Sequence, residues 1–267
     1  MQASELFNQP NTILLDGGMG TMLQAAGMKL GTRPEDLNIE NPELIRSIHA
    51  KYAAAGSRVV NANTFGASPH KLADSKYTLE EVITAGIANC KQAVAPYGAL
   101  VTLDVGPLGE LLEPSGTLAF EDAVAEYGRI VRAGVAAGAD ILYFETFTDL
   151  YEMKAALLAA KENSTLPIMA SMSFEANGRT FTGCTVESFA ATARGLGANA
   201  VGINCSLGPK EIFPMAKRLA EAVPGDFPVF VKPNAGLPRA DGSGYDITPQ
   251  LYAMQMKPYR ELHLFAA

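Results

Sequence analysis

Acidic and amide side chains recur at the ends of apolar runs in this sequence. Asp16 follows Ile13-Leu14-Leu15, Asp104 follows Leu100-Val101-Thr102-Leu103, and Glu145 follows Ile141-Leu142-Tyr143-Phe144. Asn63, Asn204 and Lys232 end runs of the same kind. A carboxylate in such a place is costly unless it is paired or functional. Glu145 is therefore read as a ligand group, with a structural ion pair as the competing explanation. In Asp16-Gly17-Gly18-Met19-Gly20-Thr21 the glycines permit a sharp turn that presents backbone N–H groups. Those donors suit a carboxylate or phosphate, and Asp16 suits an amine. A tight strand-to-helix turn capped by Asp16 explains the same residues equally well. Asn63-Thr64-Phe65 offers two hydrogen-bonding side chains and an aromatic wall, and Lys232-Pro233-Asn234-Ala235-Gly236 brings Asn234 to a strand end.

The cysteines say less. Cys205 directly follows Asn204, and a lone cysteine after an apolar strand is more often a small buried hydrophobe than a ligand. Cys90 falls within a helical pattern and Cys184 within a loop. With no Cys-x-x-Cys or His-x-x-x-His spacing, the residues alone define no metal site. His49 and His70 are read as structural.

These groups must be positioned by the elements around them. Strand-like runs cover residues 13–16, 58–63, 100–105, 140–145, 167–174, 199–204 and 227–232. Several are continuously apolar, as parallel strands covered on both faces require. Helical patterns lie between them at residues 41–55, 79–95, 119–137, 149–161, 186–196 and 209–222, with another at 248–260. Gly56, Gly138 and Gly197 stand where left-handed helix caps are wanted. Polar groups at nearly every strand end fit a barrel, which gathers them at one mouth. An open doubly wound sheet would gather them at one switch point, and no Gly-x-Gly-x-x-Gly follows the first run. The expectation is an α/β fold, a (β/α)8 TIM barrel forming a single domain over residues 1–267. It is expected to be incomplete at strand 8 and the final helix, because a strand beginning near Leu262 meets the end of the sequence at Ala267. On this reading the barrel closes poorly or the chain is a fragment.

Composition narrows the function classes. The chain has 267 residues, 48% hydrophobic and 18% charged, with a formal net charge of -7. Lys and Arg form no cluster, which argues against nucleic acid. No apolar stretch approaches the roughly 20 residues that cross a bilayer. The first ten residues carry Glu5 and no basic apolar run, so no signal peptide is expected. Three widely spaced cysteines suit a reducing compartment, so the expected location is cytoplasmic.

Five motifs then occur in order at the strand ends: Asp16-Gly17-Gly18-Met19-Gly20-Thr21-Met22-Leu23, Asn61-Ala62-Asn63-Thr64-Phe65-Gly66, Phe144-Glu145-Thr146, Gly202-Ile203-Asn204-Cys205 and Lys232-Pro233-Asn234-Ala235-Gly236. Together they resemble the homocysteine S-methyltransferase family, and within it the N-terminal homocysteine-binding module of bacterial cobalamin-dependent methionine synthases. The likeness covers roughly residues 11–259. It implies a barrel that binds homocysteine at its C-terminal mouth and, with zinc, activates the thiolate for methyl transfer to give methionine. It implies that Gly17 and Gly18 take the substrate carboxylate and that Asp16 and Glu145 take the amino group. Asn63, Thr64, Asn204 and Asn234 are further expected substrate contacts. The family cysteine matching Cys205 binds zinc together with a Cys-Cys pair in a Gly-Gly-Cys-Cys-Gly-Thr turn after strand eight. Three thiolates leave one tetrahedral position for the substrate sulfur. Cobalamin and the folate-derived methyl donor are carried by separate modules in such relatives.

The sequence departs from that pattern where the Cys-Cys turn is due. After Met256-Lys257-Pro258-Tyr259 it reads Arg260-Glu261-Leu262-His263-Leu264-Phe265-Ala266-Ala267, so two of three zinc ligands are expected to be missing and activity to be doubtful. A non-catalytic amino-acid-binding barrel is the alternative, separated by zinc content per chain. A lyase using a Lys232 Schiff base is a third, testable by borohydride trapping, and Pro233 beside the lysine argues against it.

Overall fold

The computed structural model describes residues 3–9, 11–29, 31–236 and 246–267. Six parallel strands form one sheet in sequence order: β1 (Val59–Asn61), β2 (Leu100–Val105), β3 (Ile141–Phe147), β4 (Ile168–Met172), β5 (Ala200–Asn204) and β6 (Val229–Lys232). Three short helices come first, α1 (Ala3–Leu6), α2 (Met19–Ala25) and α3 (Leu37–Glu40). Longer ones connect and follow the strands: α4 (Pro42–Ala54), α5 (Leu79–Val94), α6 (Phe120–Ala136), α7 (Leu150–Asn163), α8 (Val186–Gly195), α9 (Pro209–Glu221) and α10 (Pro249–Met256).

The helix limits follow from local chemistry. Asn41 caps α4 by accepting from the Leu44 N–H, Thr78 and Glu81 form a reciprocal capping box on α5, and Thr185 accepts from the Ser188 N–H to start α8. Gly56 and Gly138 follow α4 and α6 at positive φ, where a side chain would be strained.

The sheet curls until its edges meet. Leu15 bridges to Val59 of β1, Ile13 bridges to Ala266, and Ala266 bridges in turn to Phe230 of β6, all in parallel sense. The Ile13 N–H donates to Phe265 O at 3.0 Å, Leu15 N–H to Ala267 O at 2.9 Å, and Phe265 N–H to Val229 O at 2.8 Å. The run at residues 13–16 is thus a pair of single-residue bridges rather than a regular strand. Its partner segment, Phe265 to Ala267, likewise contributes isolated bridges. That same segment lies between the first run and β6, where poor closure was expected.

Strand side chains alternate between two environments, as the two-residue period demands. In β2, Val101, Leu103 and Val105 pack outward with helix residues such as Ile83, Ile87 and Val131. Leu100, Ile141, Tyr143, Met169, Ala200 and Phe230 pack together inside, with Leu6 of α1. Gly202 is required there, because a Cβ would come within 2.5 Å of the Phe230 ring. Toward the strand C-termini the same inward parity delivers Asp104, Glu145, Asn204 and Lys232. The interior therefore changes from apolar to polar along its axis, and this gradient places the site.

His49 is buried in α4, and neither ring nitrogen has a hydrogen-bond partner among the described residues. Burial holds the imidazole down at about 4 from an ordinary 6.5. A neutral buried histidine stabilises the fold above the unfolded value, and that stability is lost as pH falls from about 6.5 to about 4. The expected loss is roughly 3 kcal/mol. Buried carboxyls contribute with the opposite sign, and a variant shares them with the parent. His49→Leu is therefore expected to lose less stability than the parent between pH 7 and pH 4.5 in denaturant titrations. Equal losses would contradict the assignment.

Candidate active site

The centre of the polar end is the ammonium of Lys232. It donates to Glu145 Oε1 at 3.0 Å and to Asp16 Oδ1 at 3.3 Å, with these side chains only 14%, 13% and 5% exposed. Asp16 also accepts from the Asn61 N–H at 2.8 Å, which fixes it against the end of β1. Tyr143 donates from its hydroxyl to Glu145 Oε1 at 3.2 Å and lies 2.9 Å from Ser171 Oγ. Ser171 donates to Asn204 Oδ1 at 2.8 Å. A run of polar contacts thus links β5 through β4 and β3 to Lys232 on β6 and Asp16 at the first turn, with the single Tyr143 proton serving either Glu145 or Ser171.

Burial alone would lower the Lys232 ammonium, but Glu145, Asp16, Tyr143 and Asp104 together raise it well above the ordinary lysine range. An amine held so firmly protonated is a poor nucleophile, which counts against a Schiff-base role. Burial raises the Asp16 carboxyl, while Lys232 and the Asn61 N–H pull it back down. Asp104 is 6% exposed at the end of β2, and its Oδ1 has no hydrogen-bond partner among the described residues. Burial, then Glu145, pushes its carboxyl well above the usual carboxylate range, against the pull of Lys232.

A second group forms where β3 and β5 end. Thr146, Cys205 and Ser206 all have positive φ, near 60°, which is unusual for side-chain-bearing residues and most of all for a β-branched one. Asn204 holds Thr146 in place: its Oδ1 accepts from the Thr146 N–H at 3.1 Å, and its Nδ2 donates to Thr146 Oγ1 at 2.6 Å. Thr146 Oγ1 donates to Cys205 Sγ at 3.7 Å. Backbone strain over-determined in this way collects at functional sites. Asn204 therefore positions Thr146 and, through it, Cys205.

The remaining expected residues have other engagements. The Asn63 amide donates to Pro34 O at 2.7 Å and Asn38 Oδ1 at 2.9 Å, tying the first loops to β1. The Thr64 hydroxyl donates to Asp104 O at 2.8 Å and accepts from the Asp104 N–H at 3.1 Å, so it fixes Asp104 through its backbone. Gly17 sits against Tyr52, where a Cβ would come within 2.9 Å of the hydroxyl, and that hydroxyl donates to Gly18 O at 3.2 Å. Asn234 donates its backbone N–H to Leu207 O at 3.0 Å, beside the end of β5. Sequence reading missed Tyr143 and Ser171, whose burial hides their polarity within an apolar strand. It also missed the strain at Thr146, for which residue type gives no signal.

The cysteines do not converge. Burial, then Glu145, raises the Cys205 thiol, with Thr146 and Lys232 pulling down. Cys90 is buried with Sγ 3.8 Å from Val60 O, and the Cys184 thiol is engaged with Thr185 O at 3.2 Å. Among the described residues no three His, Cys, Asp or Glu side chains are grouped to hold a metal ion. A zinc site of three thiolates does not fit this donor set. A separate cavity of about 450 Å³ is lined by Asp149, Tyr151, Lys154, Arg179, Cys184 and Ser188, and it shares no residue with the Lys232 cluster.

Lys232→Met keeps the stem and removes the charge, leaving buried carboxylates without a cation. Removing one partner of a buried pair costs roughly 3–5 kcal/mol. Denaturant titration of the variant is expected to show a loss of that order at pH 7. The loss should shrink as the pH is lowered, because burial already raises the Asp16 carboxyl and without Lys232 it protonates more readily. A pH-independent loss would show that Lys232 matters through packing instead.

Residues 13–266 match the homocysteine S-methyltransferase family. Methionine synthase from Mycobacterium tuberculosis is 30% identical over 254 residues, covering 88% of this chain and 21% of that protein. The chain therefore spans about a fifth of the length of that curated relative. The oxidized form of the homocysteine methyltransferase MmuM from Escherichia coli superposes with a TM-score of 0.84 at 22% identity, covering 98% of this chain and 92% of that one. Its metallated form gives 0.76 at 24% identity, with coverage of 93% and 90%. The carboxyl transferase domain of Rhizobium etli pyruvate carboxylase gives 0.59 at 14% identity, covering 99% of this chain and 40% of that one, so the architecture alone does not fix the chemistry. With a family match running from the first bridge to the last, the chain belongs to the homocysteine S-methyltransferase family.

Proposed function

We propose that this chain is a homocysteine-binding methyltransferase module. On this reading its fold is a (β/α)8 barrel incomplete at strand 8 and the final helix, and residues 1–267 act as a single domain. The observation that carries the proposal is the buried carboxylate pair, Asp16 and Glu145, already arranged around one ammonium. A pair that holds a lysine ammonium in this geometry is chemically suited to the α-ammonium of an amino acid. Gly17 and Gly18 supply backbone N–H groups for the carboxylate, and Asn234 approaches from the end of β6. Asn63, Thr64 and Asn204 act one step back, holding the first loops, Asp104 and Thr146. The substrate thiol then lies toward Thr146 and Cys205, the remaining polar group of the mouth.

Methyl transfer to that sulfur gives methionine, and the donor is carried elsewhere. Cobalamin- and folate-binding modules are the partners this reading assigns, with no role for nucleic acid or a membrane surface. The described part of the chain has no helix long and apolar enough to cross a membrane. We place the protein in the cytoplasm, where its free thiols suit a reducing environment. Zinc, which the family resemblance implies, has one matching ligand among the described residues, Cys205. That single ligand also favours a second reading, an amino-acid-binding barrel without catalysis. Both readings share the amine site.

Calorimetric titration with homocysteine tests that site. Glu145→Ala is expected to weaken binding by roughly 1–3 kcal/mol, as a charged hydrogen bond is lost. Unchanged affinity would remove Glu145 from substrate recognition and with it the basis of the proposal.

A further inference from the structure

At the mouth, Asp16 and Glu145 are both already engaged. Both already share the ammonium of Lys232. An incoming α-ammonium balances the charge of the two carboxylates but brings three more N–H donors to oxygens that already accept from Lys232, the Asn61 N–H and the Tyr143 hydroxyl. A further acceptor beside the pair would let that ammonium be bound without displacing Lys232. Asp104 supplies one. It stands on the strand between β1 and β3, and its backbone is pinned on both sides by Thr64 Oγ1. Its Oδ1 is the one carboxylate oxygen of the cluster found buried without a hydrogen-bond partner among the described residues. A buried acceptor without a partner is destabilising, and such atoms call for an explanation.

We infer that Asp104 is a third carboxyl of the amine-recognition site, and that its open Oδ1 accepts from the substrate ammonium while Lys232 keeps Asp16 and Glu145 in place. This rests on the homocysteine reading above and extends it to a residue not included there. The groups around the open oxygen agree with it. Glu145 shares a hydrogen bond with the Asp104 carboxyl and, with Asp16, Lys232 and Tyr143, acts electrostatically on or with it, and among the described residues Lys232 is the one cation that takes part. Burial and the neighbouring carboxylates keep the free carboxyl from ionising easily, and a second ammonium would reverse that balance. The site is thus built to be completed by a cation, which an amino acid supplies and its desamino analogue does not.

The test compares homocysteine with mercaptobutanoate, the same molecule without its amino group, by calorimetry on the full chain and on Asp104→Asn. The parent is expected to prefer homocysteine. The variant is expected to bind homocysteine roughly tenfold or more weakly while mercaptobutanoate stays within about twofold of the parent. The analogue also reports whether the variant's mouth is intact. Equal weakening of both ligands would mean a structural role and overturn the proposal. A variant that keeps the parent's preference would overturn Asp104 alone, with Asp16 and Glu145 still standing. A parent that shows no preference would overturn the amine site as a whole.

Discussion

The Lys232 ammonium joins parts of the chain that are far apart in sequence. It meets Asp16, which leaves the first bridging segment, and Glu145, on β3 across the mouth. Asp16 is held in turn by the β1 backbone, and Glu145 by Tyr143 from its own strand. A buried ion pair with poor geometry would be a net cost, because desolvation of each ion takes several kcal/mol. Here two carboxylates share one lysine, and backbone and hydroxyl donors fill part of the remaining capacity. The arrangement pins the N-terminal turn to the far strand, which single-residue bridges alone would hold weakly.

Everything that positions this cluster follows from strand periodicity. Because side chains alternate, one face of each strand builds the layer against the helices and the other builds the interior. Phe230 and Tyr143 fill the lower interior, and Gly202 leaves space for the Phe230 ring. Above them the same parity exposes polar groups to one another rather than to hydrocarbon. Burial then acts on all of them together. It works against the charge on Lys232, which the surrounding acids maintain, and it leaves Asp104 Oδ1 short of a partner.

Much of this was legible in the residues. Apolar runs ending in Asp104, Glu145, Asn204 and Lys232 marked both the strands and their polar end, since an apolar strand tolerates a polar group only where it emerges. Helix limits were legible where side chains cap them, as at Thr78 and Thr185. The first run was read as a strand because Ile13, Leu14 and Leu15 are apolar, but hydrogen-bonded length depends on a partner some 250 residues away, Ala266. Asn63 and Thr64 were read as substrate contacts from their position, yet their donors go to Pro34, Asn38 and Asp104. Sequence spacing does not reveal such choices, because the competing partners arrive from distant loops. Lys232 stood out as the charged end of an apolar strand, while its pairing with both carboxylates required the closed sheet.

The match from residue 13 to 266 carries the fold and the strand-end motifs. The described thiols lie in three different environments and supply one ligand where the resemblance calls for three. What the chain holds in assembled form is the charged cradle, which we propose receives an amino group. A crystal structure of the chain with homocysteine bound tests that claim most directly. The ligand nitrogen is expected within about 3 Å of a carboxylate oxygen of Asp16, Glu145 or Asp104, with the sulfur toward Cys205. Homocysteine seated in the cavity beside Arg179, or held at the mouth with its amino group facing solvent, would contradict it.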